Sequence, residues 1–348
     1  MRRLIFLPIL LALFFIFTYT DKGTAISPST SKCEKGDCQN GDGLMLFDNN
    51  DKYVGKFING LPDGKGAMIF HNGIILDGLF MKGLNMGNGI RIEPDGSKYI
   101  GQFYNGVANG DGEKIMANGS HYTGLWRNGE FFRGHGLMIE ANGRRYDGDY
   151  RNKLFNGQGL LTESDGTTFE GVFKNGQLEG LCKKYSPDGT VFNGIFKEGK
   201  YHGVGTLVMA DGTRYEGEFR DGEFFGQGVM TWRDGRKYKG EFEKGHFMGQ
   251  GVLTSIDGTE YRGMFADDKY NGRGVLTSKD GDRLEGDFVN NVYLENNDQK
   301  ISIPEELIVF NYEKKDTSAE QKDVEPLDTP PQTPAPQDDR PKEQDTGP

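Results

Sequence analysis

Tyr215-Glu216-Gly217-Glu218-Phe219-Arg220-Asp221-Gly222-Glu223-Phe224-Phe225-Gly226-Gln227-Gly228 leads, after six more residues, to Asp234-Gly235, and then Tyr238-Lys239-Gly240 starts the same pattern again. In the core Tyr215, Gly217 and Phe219 alternate with Glu216 and Glu218, so period 2 puts both rings and the glycine on one face of a strand. Gly226 and Gly228 follow as a Gly-x-Gly pair, and Asp234-Gly235 has hairpin-turn chemistry. One such unit predicts two short antiparallel strands.

The unit recurs along most of the chain. Its first glycine returns every 23 residues at Gly55, Gly78, Gly101 and Gly124, then after one step of 24 at Gly148, and again every 23 through Gly171, Gly194, Gly217, Gly240, Gly263 and Gly286. A period of this size is the mark of an array. The first ring is replaced by leucine at Leu76 and Leu284, and the second glycine of the pair by Cys182. Asn-Gly or Asp-Gly closes each of ten copies, from Asn72-Gly73 to Asp280-Gly281, which predicts type I′ turns there. The extra residue between Gly124 and Gly134 is expected to bulge in a loop and leave the register intact. The expected fold is all-β: an elongated single-layer antiparallel β-meander, roughly 100 Å long at ~4.8 Å per strand, with a short C-terminal cap.

The Tyr-x-Gly-x-Phe-x-x-Gly core followed by Gly-x-Gly resembles the MORN repeat over residues 41–290, in about eleven copies. The resemblance implies an elongated β-meander used for scaffolding, dimerisation and, in some members, phospholipid association.

The ends read differently. Met1-Arg2-Arg3 and an apolar run from Leu4 to Tyr19 make residues 1–25 either a cleaved secretory signal or an N-terminal membrane anchor. Residues 26–40 form a linker in which Cys33 and Cys38 are paired as a small disulfide loop, as suits an oxidising compartment. The stretch from Cys33 to Gly43 is similar to exported bacterial MORN proteins, which implies a periplasmic or cell-surface location. Residues 291–312 form the capping segment, where Ser302-Ile303-Pro304-Glu305-Glu306 starts a helix or a last strand. From 313 to 348, ten acids against five bases and frequent prolines read as a disordered tail.

Nothing in the sequence asks for catalysis. His71, His121, His135, His202 and His246 fall in five different columns of the repeat, so they line up neither as a metal ladder nor as a general base. The Gly-x-Gly pairs lack the third glycine of a dinucleotide fingerprint. We therefore expect no catalytic, metal or cofactor-binding residue. Net charge −11 disfavours nucleic acid. Beside the first glycine, on the face opposite the rings, Leu79, Leu125, Val172, Ile195 and Met264 stand where other copies carry polar residues, and they are the candidate interaction face. The expected function is an exported noncatalytic scaffold for protein–protein interaction at the cell envelope, including a homodimer contact. The alternative is a membrane-tethered or phospholipid-associated module.

Overall fold

A computed structural model describes residues 31–294 and 300–302. The signal or anchor at 1–25, the cap beyond Ser302 and the tail at 313–348 lie outside the described residues. Every described element is a strand, and all strands belong to antiparallel sheet without a second layer.

The strands fall in two compact units, residues 31–114 with 126–130, and residues 115–125 with 131–302. The first unit contains β1 (Ser31–Gly36), β2 (Asp42–Phe47), β3 (Lys52–Ile58), β4 (Leu61–Ile69), β5 (Ile75–Met81), β6 (Leu84–Ile92) and β7 (Lys98–Tyr104), and each pairs with the next. β8 (Val107–Ile115), β9 (His121–Arg127) and β10 (Glu130–Ile139) straddle the division. The second unit continues with β11 (Arg145–Arg151), β12 (Leu154–Thr162), β13 (Thr168–Lys174), β14 (Gln177–Tyr185), β15 (Val191–Lys197), β16 (Lys200–Val208), β17 (Arg214–Arg220), β18 (Glu223–Thr231) and β19 (Lys237–Glu243). It ends with β20 (His246–Thr254), β21 (Glu260–Ala266), β22 (Lys269–Thr277), β23 (Arg283–Val289), β24 (Val292–Leu294) and β25 (Lys300–Ser302). β25 pairs antiparallel with β24, so a strand lies beside the last complete hairpin.

The repeat beginning at Tyr215 shows how each residue type earns its place. Tyr215 lies across the glycines of both strands: a Cβ at Gly217 or Gly228 would come within 2.5 Å of its hydroxyl oxygen. That hydroxyl donates to the Glu218 carbonyl at 2.9 Å, so the ring is held at both ends. Gly226 has a different task. Its φ of +60° makes a bulge in β18, and the register slips between Gly217 and Glu218. One glycine of the pair thus supplies conformation and the other supplies room.

The turn chemistry is also divided, and the type I′ expectation moves. Asp234 keeps a negative-φ backbone; Gly235 N–H donates to the Trp232 carbonyl and Trp232 N–H to the Arg236 carbonyl, both at 3.0 Å. This is a three-residue loop with a left-handed glycine (φ +98°), and the Asp234 carboxylate accepts from Arg236 N–H at 3.0 Å. The two-residue type I′ turn sits instead at Asp221-Gly222, where φ is +52° and +94° and Arg220 faces Glu223. An Asx side chain that caps its own loop stabilises the first geometry over the second.

The extra residue also behaves differently from expectation. β10 is ten residues long where the other long strands have nine, so the insertion enters the strand itself. Gly124 comes against Gly134, with a Cβ on Gly124 only 2.7 Å from the Gly134 Cα. Regular pairing resumes with Gly136 opposite Gly148.

A third ring per repeat completes the core of the second unit. Phe224 stacks on Tyr215 at 4.0 Å, while Phe219 and Phe242 of the next repeat meet Tyr215 edge-on at 5.1 and 5.0 Å. The same position holds Phe131, Phe155, Leu178, Tyr201, Phe247 and Tyr270, all buried. In the first unit it holds Pro62, Asn85 and Ala108. Tyr53 there keeps only its edge contacts to Phe57 and Phe80, at 5.1 and 5.0 Å. Asn85 is buried with its side-chain oxygen unpartnered, while its Nδ2 donates to the Leu79 carbonyl at 3.2 Å.

Cys182 occupies ring space. It is buried, and burial pushes its thiol pKa up. A Cβ at Gly171 would lie against its sulfur, so no ring crosses that glycine pair, and Phe169 is left half-buried.

Candidate interaction surfaces

With the rings filling one face, the opposite face is what each unit offers to other molecules. In the first unit, register aligns two rows across β2 to β7. One runs Leu44, Val54, Ala67, Asp77, Ile90, Ile100. The other runs Leu46, Lys52, Ile69, Ile75, Ile92, Lys98. Only Asp77, Lys52 and Lys98 interrupt the apolar side chains. Val54 is 47% exposed and Ile69, Ile90, Ile92 and Ile100 are 37–39% exposed. Five strand spacings of ~4.8 Å make this surface about 24 Å wide. Contiguous apolar surface of this kind marks a contact site.

The corresponding row of the second unit alternates. From β11 to β23 it reads Asp147, Leu160, Glu170, Lys183, Asn193, Thr206, Glu216, Val229, Lys239, Val252, Arg262, Val275, Glu285. A charged or polar residue on each first strand separates the apolar ones, and a solvated face results.

The candidates taken from one column of the repeat are not brought together as a set. Leu79 is 46% exposed and faces Lys65 on β4 and Met86 on β6. Leu125 is half-buried on β9, and Met264 is half-buried opposite Gln250. Val172 and Ile195 do gain apolar neighbours. Leu181 is the Cα partner of Ile195, and the Ile195 side chain reaches β16 at Gly203, next to Val204. The isoleucine row of the first unit was missed because it belongs to other columns of the repeat; Val54 and Ile100 were its only visible members. Reading alternate residues of each strand against its neighbours would have found it.

A disulfide joins Cys33 and Cys38, S–S 2.07 Å, and closes the connection from β1 to β2. His135 stands between two carboxylates, with Nε2 3.0 Å from Asp147 and Nδ1 3.4 Å from Asp149, all solvent-exposed. Among the described residues no group of three or more His, Cys, Asp or Glu is placed to hold a metal ion. The structural repeat core of Tyr215, Gly217, Phe219, Gly226 and Gly228 is occupied with packing, as described above.

The family model for the MORN repeat matches eight segments, 53–75, 99–121, 146–168, 169–191, 192–214, 215–235, 238–260 and 261–283. Two intervening copies escape it: the one with Leu76 in place of the first ring, and the one beginning at Tyr122, which carries the inserted residue. No curated protein matches the chain. Among solved structures, the TCP10 domain of Danio rerio CPAP in complex with a peptide of STIL is 12% identical, covers 73% of this chain and 97% of that one, and has a TM-score of 0.28. The Drosophila melanogaster SAS-4 TCP domain in complex with a proline-rich motif of Ana2 is 15% identical over 48% and 83% of the two chains, at a TM-score of 0.25. Virginiamycin B lyase from Staphylococcus aureus, at 10% identity, covers 79% and 88% with a TM-score of 0.14. At such scores these likenesses carry no functional argument.

Proposed function

From the premise that the chain belongs to the MORN repeat family, we propose that it is a noncatalytic scaffold that holds a partner protein on the apolar outer face of its first unit. The observation that carries this reading is the two-row surface formed by Val54, Ile69, Ile90, Ile92 and Ile100. Those residues contribute nothing to the ring core, so the core does not account for them. The apolar run at Leu4–Tyr19 and the Cys33–Cys38 disulfide support export, with the scaffold working at the cell envelope.

The test is recovery of partners by cross-linking and affinity capture with the full chain and with an Ile69→Ser, Ile90→Ser, Ile92→Ser, Ile100→Ser variant. The variant should fold normally and lose the specific partner. Equal recovery by both proteins would refute the assignment, as would binding of the wild-type face to liposomes in place of protein.

A further inference from the structure

The second unit carries a separate apolar strip that departs from the array in two columns at once. The residue between the glycines of the pair is polar in eight copies: Lys65, Asn88, Asp111, His135, Gln158, Gln227, Gln250 and Arg273. In the two remaining copies, which are consecutive, it is Leu181 and Val204, 71% and 65% exposed. Beside them stand Val172 on β13 and Ile195 on β15, the latter 40% exposed. Val172 lies in the bulge opposite the stretch of β14 that holds Leu181, and Leu181 faces Ile195. Four neighbouring strands each contribute one apolar side chain to a single line.

We propose that this line is a docking site for an amphipathic helix with an acidic flank, laid across the strands. Neighbouring strands are ~4.8 Å apart, so the line repeats at that distance over about 14 Å. An α-helix rises 1.5 Å per residue, so an apolar stripe at i, i+3, i+7 and i+10 advances by roughly 4.5–6 Å a step and spans about 15 Å. An extended strand presents same-face side chains about 6.6 Å apart and falls out of step. The flank follows from charge. Exposed Lys174, Lys183, Lys197 and Lys200 border the line, against Glu170 and Glu179, and Glu179 already accepts from Glu198 N–H at 3.3 Å. Attraction between that lysine border and carboxylates orients the helix and selects against a basic one.

The probe is a fluorescent helical peptide of about twelve residues with leucines on one stripe and glutamates along one flank. Its binding to the full-length protein is followed by anisotropy. Saturable binding is expected, weakened about tenfold or more by Leu181→Gln with Val204→Gln. Glutamine already occupies this position at 158, 227 and 250, so the double variant should melt like wild type. Replacing the glutamates by lysines should also weaken binding, whereas the isoleucine variants of the first unit should leave it unchanged. That last control separates failure here from failure of the first-unit reading. Absence of saturable binding overturns the proposal. So does equal affinity for the double variant, preference for the lysine-flanked peptide, or use of Leu181 and Val204 for self-association or for phosphatidylglycerol vesicles in place of the peptide.

Discussion

The two units are built on one repeat and spend their side chains in opposite ways. In the second unit nearly every repeat places three rings on the inner face, as Tyr215, Phe219 and Phe224 do, and leaves alternating charge outside. In the first unit the third ring gives way to Pro62, Asn85 and Ala108, while isoleucines gather on the outer face. Less apolar surface goes into the first unit's own core and more is presented outward. The difference teaches that one repeat supports both a self-sufficient wall and a surface that awaits a partner.

Deleting the third ring should break the comparison most severely. Phe224→Ala removes a ring stacked on Tyr215, and by the usual cost of emptying an aromatic site it should destabilise the second unit by about 3–5 kcal/mol. Pro62→Ala, at the matching place in the first unit, should cost far less. Denaturant melts read by hydrogen exchange in each unit check this; equal losses would show that the third ring is not what distinguishes them.

Alkaline pH acts on the same rings. Burial, reinforced by the Asp111 charge, pushes the Tyr99 hydroxyl up to about 12, and burial raises Tyr215, Tyr238 and Tyr261 further. A folded value above the unfolded one means stabilisation that is complete below the unfolded value near 10 and is lost as pH rises through the folded values. The melting temperature should therefore fall steeply above about pH 10, with phenolate absorbance appearing only as structure is lost. Free titration of these tyrosines in the folded protein would contradict their burial.

A smaller effect tests the hydroxyl alone. Tyr215→Phe keeps the stack on Phe224 and removes the bond to the Glu218 carbonyl, so about 1 kcal/mol should be lost. Phe192 already packs on Tyr201 without a hydroxyl, at 3.8 Å. A loss as large as that of Phe224→Ala would mean that the hydroxyl positions the strand.

The smallest effect concerns the loops. Backbone N–H groups of Ser97 and Thr259 hold the Asp95 and Asp257 carboxyls below their ordinary range, one in each unit. A depressed folded value gives stabilisation present above the unfolded pKa and lost as pH falls through the folded one. Asp257→Ala should flatten the acid limb of the melting curve slightly, and Asp95→Ala should do the same. An unchanged acid limb in both would remove the carboxylates from the loop's energetics.

Much of the architecture was legible because Gly217, Tyr215 and Phe219 repeat at fixed spacing, and spacing alone dictates face and hairpin. The third ring was not, because Phe224 follows a turn of unrecognised type and its column breaks at Pro62, Asn85 and Ala108. The turn types were exchanged for a related reason: Asp-Gly occurs at both Asp221 and Asp234, and only the hydrogen bonding of the loop separates them. Of the interaction residues, Val172 and Ile195 were visible in one column. Leu181 and Val204 belong to another column, and the bulge at the positive-φ glycine decides which columns become neighbours.

The most direct test of this account compares stability and partner capture in one pair of proteins. The full chain and its Ile69→Ser, Ile90→Ser, Ile92→Ser, Ile100→Ser variant are melted and then used for cross-linked affinity capture. The account predicts superimposable melting of the second unit, an intact first unit, and loss of the specific partner from the variant alone. Unchanged capture, or collapse of the first unit on substitution, would show that the isoleucine face is part of the protein's own core and not a surface for another.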